Sequence, residues 1–133
     1  MGWLRDETGL DKNAANFVPL TPLSHLARAA QIFPTQLAVA YGSQHRMTYV
    51  QYHARVSQLA SALAQAGIQP GDVVTTLLPN IPAQVESHFA VPACGAIINA
   101  VNTRLDVSTI AYILEHSEAK LVLVDTEFLP TLE

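Results

Sequence analysis

Hydrophobic positions along this chain repeat in two different ways, and the change falls near its middle. Tyr52, Val56, Leu59, Ala60 and Leu63 recur at helical spacing, while Arg55, Gln58, Ser61 and Gln65 fall on other faces. This predicts an amphipathic helix from about Tyr49 to Ala66. Thr48 and Gln51 stand at capping-box spacing at its start, and Gly67 can take the left-handed conformation that closes a helix. A shorter stripe of Leu23, Leu26, Ala27, Ala30 and Ile32 follows Thr21-Pro22, a cap with proline at the first helical position, and ends before Pro34. Between the two helices, Leu37 to Tyr41, a turn at Gly42-Ser43-Gln44, and a return through Arg46 and Met47 predict a small hairpin. Residues 1–20 show no clear period and read as an irregular arm.

After the turn at Gln69-Pro70-Gly71-Asp72, strand-like and helical runs alternate. Val73 to Leu78 is apolar and β-branched, and Pro82 opens a helix reaching about Cys94, with Pro92 near its end or kinking it. Gly95 leads into a second strand-like run, Ala96 to Val101. Asp106 can cap a helix containing Ile110, Ile113 and Leu114, with His116 in its last turn. Leu121 to Val124 is a third apolar run, and residues 126–133 begin another helix. Two crossovers of this length predict right-handed βαβ units. The expected fold class is α/β: a partial parallel sheet with flanking helices, preceded by an irregular arm and a small hairpin. Residues 21–133 are expected to form an incomplete α/β subdomain.

Composition changes this picture in one respect. Only 14% of the 133 residues are charged, where roughly 25% is usual in a soluble domain. One reading is an alanine-rich chain with neutral surfaces. The other is that apolar faces await more of the same polypeptide or another copy. The net charge is −4 and the basic residues are scattered singly, so no nucleic-acid footprint is expected. A lone Cys94 fits a reducing cytoplasm. Acidic residues at Asp6, Glu7 and Asp11 argue against a secretory signal, and Asp6 stands where a myristoylation site needs Ser or Thr. Phe89 to Ile98 is too short to span a bilayer. The expectation is a cytoplasmic protein without a transmembrane segment.

Candidate chemistry is sparse. The glycines form neither G-x-G-x-x-G nor a Gly-Lys-Ser/Thr loop, so no dinucleotide or phosphate-loop fingerprint is present. His25, His45, His53, His88 and His116 include no i, i+4 pair. Glu86 and His88 are two residues apart, which puts them on different helix faces. Cys94 lacks an adjacent base and reads as a small buried residue, and Ser24-His25 lies in no nucleophile elbow. Asp125 stands at the carboxyl end of a predicted strand, where a helix-cap role is favoured over a ligand contact. No catalytic, cofactor-binding or metal-binding residue can be assigned.

Several ordered segments nevertheless form a distinctive series. Gly9-Leu10-Asp11-Lys12-Asn13 to Asn16-Phe17-Val18-Pro19-Leu20-Thr21-Pro22-Leu23-Ser24 comes first, then Met47-Thr48-Tyr49, then Leu78-Pro79-Asn80. His88-Phe89-Ala90-Val91-Pro92, Gly95-Ala96 with Asn99, Asn102 and Arg104-Leu105, and Leu121-Val122-Leu123-Val124-Asp125 complete it. The series resembles the amino-terminal part of adenylate-forming acyl-activating enzymes, especially AMP-forming fatty-acyl-CoA synthetases of bacteria and plants. One departure is Ser117, where relatives commonly carry glycine after the helix.

The resemblance implies a reaction in which a carboxylate and ATP, assisted by Mg²⁺, give an acyl-adenylate and pyrophosphate, after which coenzyme A displaces AMP. It also implies that the groups for this chemistry lie in later motifs: a Ser/Thr/Gly-rich loop ending in Lys, a Tyr-Gly-x-Thr-Glu segment, a ribose-binding Asp, and a mobile carboxyl-terminal domain. None is matched here. The expectation is therefore a fragment of such a ligase, inactive alone and binding no cofactor, whose partner is the remainder of the enzyme. In that frame Thr48, Pro79, Pro92 and Gly95 are scaffold. A substrate-side loop at Asn99, Asn102 and Arg104 is the functional alternative to a purely structural one. A reading from another class is a non-catalytic module that self-associates, as a homo-oligomer through exposed apolar faces, or binds a partner.

Overall fold

A computed structural model describes Gly9 and residues 11–15, 17–43 and 45–132. Chain order is α1 (Pro22–Ile32), β1 (Leu37–Tyr41), β2 (His45–Thr48), α2 (Tyr49–Gln65), β3 (Val73–Leu77), α3 (Pro82–Ala93), β4 (Ile97–Ala100), α4 (Val107–His116) and β5 (Leu121–Val124). A 3₁₀ turn (Thr126–Phe128) and a short α5 (Leu129–Leu132) follow. The described arm residues up to Leu20 form no helix or strand, and the remainder of the arm, like Gln44 of the hairpin turn and Glu133, lies outside the described residues.

Local chemistry sets the helix ends. Thr48 Oγ1 accepts from Gln51 N at 3.4 Å while Gln51 Oε1 accepts from Thr48 N at 2.9 Å, so the expected capping box starts α2. Gly67, at φ +93°, closes it. α1 also has a reciprocal box, in which Ser24 takes the part usually played by Glu or Gln. Asp106 caps α4 by accepting from Thr109 N at 3.0 Å. Pro92 stands in the last turn of α3, and the helix ends at Ala93.

The hairpin β1–β2 is antiparallel and separate from the main sheet. The main sheet has the order β4–β3–β5, and both strand pairs are parallel. The chain therefore leaves the central strand β3 toward one side, then crosses from β4 back past β3 to β5. Right-handed crossovers in opposite directions require α3 and α4 to lie on opposite faces. Packing agrees. Val74 joins Leu63, Ile68, Val91 and Ala96 beneath α2 and α3, whereas Leu77 joins Val101 and Ile110 beneath α4. A third cluster of Leu26, Met47, Tyr52, Val56 and Ala90 fastens α1 and the hairpin to α2 and α3. Tyr52 meets Phe89 edge-on at 5.6 Å, and its hydroxyl donates to Val85 O at 2.9 Å. Among the described residues, no helix is long and apolar enough to cross a membrane.

Candidate functional site: the cleft at the carboxyl end of the sheet

The loops after β3 and β4 depart toward opposite faces, so they part where the strands end. In open α/β sheets this divergence makes a crevice suited to a ligand. Here it forms a cleft of about 510 Å³ lined by residues 78–80, Gln84 and residues 100–104. The floor is tied across the strands by Val101 N donating to Thr76 O at 2.9 Å. The β4 loop folds back on itself, with Asn102 Oδ1 accepting from Arg104 N at 3.0 Å and Asn102 O accepting from Leu105 N at 3.2 Å. Arg104 is thereby presented at the rim, exposed to solvent. Across the cleft, Ile81 offers α3 no side-chain cap, and Gln84 Oε1 is buried without a hydrogen-bond partner among the described residues.

The polar side-chain groups of this lining are amide, hydroxyl and guanidinium, beside the aliphatic Leu78, Pro79, Ala100 and Val101. No carboxylate, imidazole or thiol belongs to it, so the cleft can orient a polar group but offers no side chain that exchanges protons near neutral pH. Among the described residues, no group of three or more His, Cys, Asp or Glu is placed to hold a metal ion.

The structure separates the three residues considered for a substrate-side loop. Asn102 and Arg104 line the cleft. Asn99 does not: its Nδ2 donates to Thr75 Oγ1 at 3.1 Å and to Ser117 Oγ at 3.2 Å, tying β4 to β3 and to the end of α4. Ser117 also donates to Leu114 O at 3.2 Å, and the left-handed position falls one residue later, on Glu118 at φ +51°. At this helix end Ser117 is the C-cap, with φ −80°, and α4 leads on into β5.

The other candidates are dispersed. Asp125 caps the 3₁₀ turn, with Oδ1 accepting from Glu127 N at 3.1 Å. Ser24 is occupied in the α1 cap, and His25 is exposed. Cys94 is half-buried, its Sγ donates to Ala60 O at 3.1 Å, and burial pushes its thiol pKa up, against reactivity. His88 is exposed, with Nδ1 2.7 Å from Gln84 O.

Sequence reasoning missed one polar pair. Glu86 is 3% exposed on α3 and receives a two-pronged bond from the guanidinium of Arg55 on α2, through Nε to Oε1 and through Nη2 to Oε2 at 3.0 Å. Hydrogen bonding and charge from Glu86 raise the pKa of Arg55. Burial, then the Glu86 charge, pushes the nearby Tyr52 hydroxyl up to about 12. The available signal was weak: Glu86 is the one residue among Asp, Glu, Lys and Arg on α3, and Arg55 stands on a helix predicted to pack.

A model of the AMP-binding enzyme family matches residues 26–133. The chain is 50% identical over 129 residues to an acetate–CoA ligase of Humulus lupulus, covering 97% of this chain and 22% of the relative. It is 49% identical over 120 residues to a peroxisomal trans-cinnamate:CoA ligase of Petunia hybrida, covering 90% of this chain and 21% of the relative. The structure of a fatty acyl CoA synthetase of Mycobacterium tuberculosis superposes with a TM-score of 0.79 at 30% identity, over 83% of this chain and 22% of that one. The chain thus spans about a fifth of the length of these relatives. The fold, the ordered motifs and a match running from α1 to the last residue agree: the chain belongs to the family of AMP-binding enzymes.

Proposed function

We propose that this chain is the first part of the large amino-terminal domain of an AMP-forming acyl-CoA ligase, and that alone it is inactive. The whole enzyme would convert a carboxylate, ATP and coenzyme A into acyl-CoA, AMP and pyrophosphate. The observation carrying this reading is the family match over residues 26–133, on a fold whose cleft opens at the carboxyl end of its sheet. The cleft's lining supports inactivity, since it supplies one cation in Arg104 and no acid or base to activate a nucleophile. A triphosphate with Mg²⁺ does not fit these residues alone, since Arg104 is the one cation to meet several phosphate charges and the lining holds no carboxylate for the metal. ATP, Mg²⁺ and coenzyme A are therefore assigned to the whole enzyme, held largely by residues outside this chain.

The acyl group is set elsewhere. Two relatives of nearly equal similarity over this stretch act on acetate and on trans-cinnamate, acids so different in size that the shared segment is a poor place for the choice. The solitary thiol Cys94 suits a reducing compartment, here the cytoplasm, although the Petunia relative is peroxisomal. The test is carboxylate-dependent exchange of pyrophosphate into ATP. The chain alone is expected to match a mock preparation, and exchange above that level overturns its inactivity.

A second reading, a self-associating module, draws on the exposed apolar residues Ile97, Val107 and Tyr112, which are 55%, 60% and 63% exposed. It predicts concentration-dependent association. Light scattering that reports a monomer at high concentration removes it.

A further inference from the structure

We draw no further inference here: the strongest candidate, the apolar groove of about 710 Å³ that α1, the hairpin and α3 leave beside Leu26, Val39, Tyr49 and Phe89, carries nothing because no feature of the structure shows what covers it.

Discussion

At the amino end of the parallel sheet the backbone closes tightly on itself, while at the carboxyl end it opens. Gly71 N donates to Gly95 O at 3.0 Å, Ile97 N to Asp72 O at 2.8 Å, and Asp72 Oδ2 accepts from Gln69 N at 2.7 Å. A side chain added at Gly95 would meet Pro70 Cβ at 3.1 Å. Little room remains there for a ligand. The carboxyl end has the opposite character: diverging loops, exposed amides and an arginine at the rim. The difference comes from topology. At the amino end the incoming chain is held by turns that must fit between helices and strands. At the carboxyl end two successive crossovers pull the chain to opposite faces and leave a gap. Rigidity is concentrated at one end, and the capacity to accept a polar group at the other.

The largest effect should come from the core behind the closed end. Leu63 is 3% exposed and packs with Ile68, Val74, Val91 and Ala96. Leu63→Ala is expected to lose about 2–5 kcal/mol in urea unfolding, since the fixed strands behind it cannot collapse into the space. A loss below about 1 kcal/mol would mean that this core is looser than the contacts imply.

Next comes a pH effect on the framework. The Tyr52 pKa rises from 10.0 to about 12 on folding. Its contribution is complete below pH 10, where both states are protonated. Above that, the unfolded state ionises first, and the contribution fades as pH climbs through the folded value. Stability is expected to fall on the order of 2 kcal/mol across this window, and Tyr52→Phe should flatten the slope. Equal slopes in the two proteins would assign the base sensitivity to other groups.

Gly95→Ala strikes the closed end directly. The residue sits at φ +72° with Pro70 in close approach, so a methyl group adds both backbone strain and contact, about 1–3 kcal/mol together. The same substitution should leave the cleft unchanged, and altered ligand behaviour without altered stability would contradict the division between the two ends.

Much of this framework was legible in the sequence because its signals are local. The Thr48–Gln51 box, the Asp106 cap and the closing Gly67 each lie within a few residues of the helix end they govern. The βαβ alternation then required only the crossover length to give a parallel sheet and the handedness rule to place its helices. The Arg55–Glu86 pair was not legible, because its members are 31 residues apart on different helices and no short spacing links them. Nor was the division among Asn99, Asn102 and Arg104. One strand residue turns beneath the sheet toward Ser117 while two loop residues line the opening, and that sorting exists only once β4 is placed beside β3.

The smallest effect on stability is the sharpest test of the open end. The Arg104 guanidinium makes no ion pair among the described residues, and its local turn is held by backbone N–H rather than by the side chain. Arg104→Ala should therefore change unfolding free energy by less than about 0.5 kcal/mol. In a full-length ligase carrying this segment, the same change should lower kcat/KM by roughly tenfold or more, equivalent to about 1.4 kcal/mol of lost transition-state interaction. Arg104→Lys should recover part of that loss, since the charge returns without the planar fork. A full-length Arg104→Ala enzyme with unchanged kcat/KM would reduce the cleft to a loop junction, leaving both ends of the sheet as scaffold.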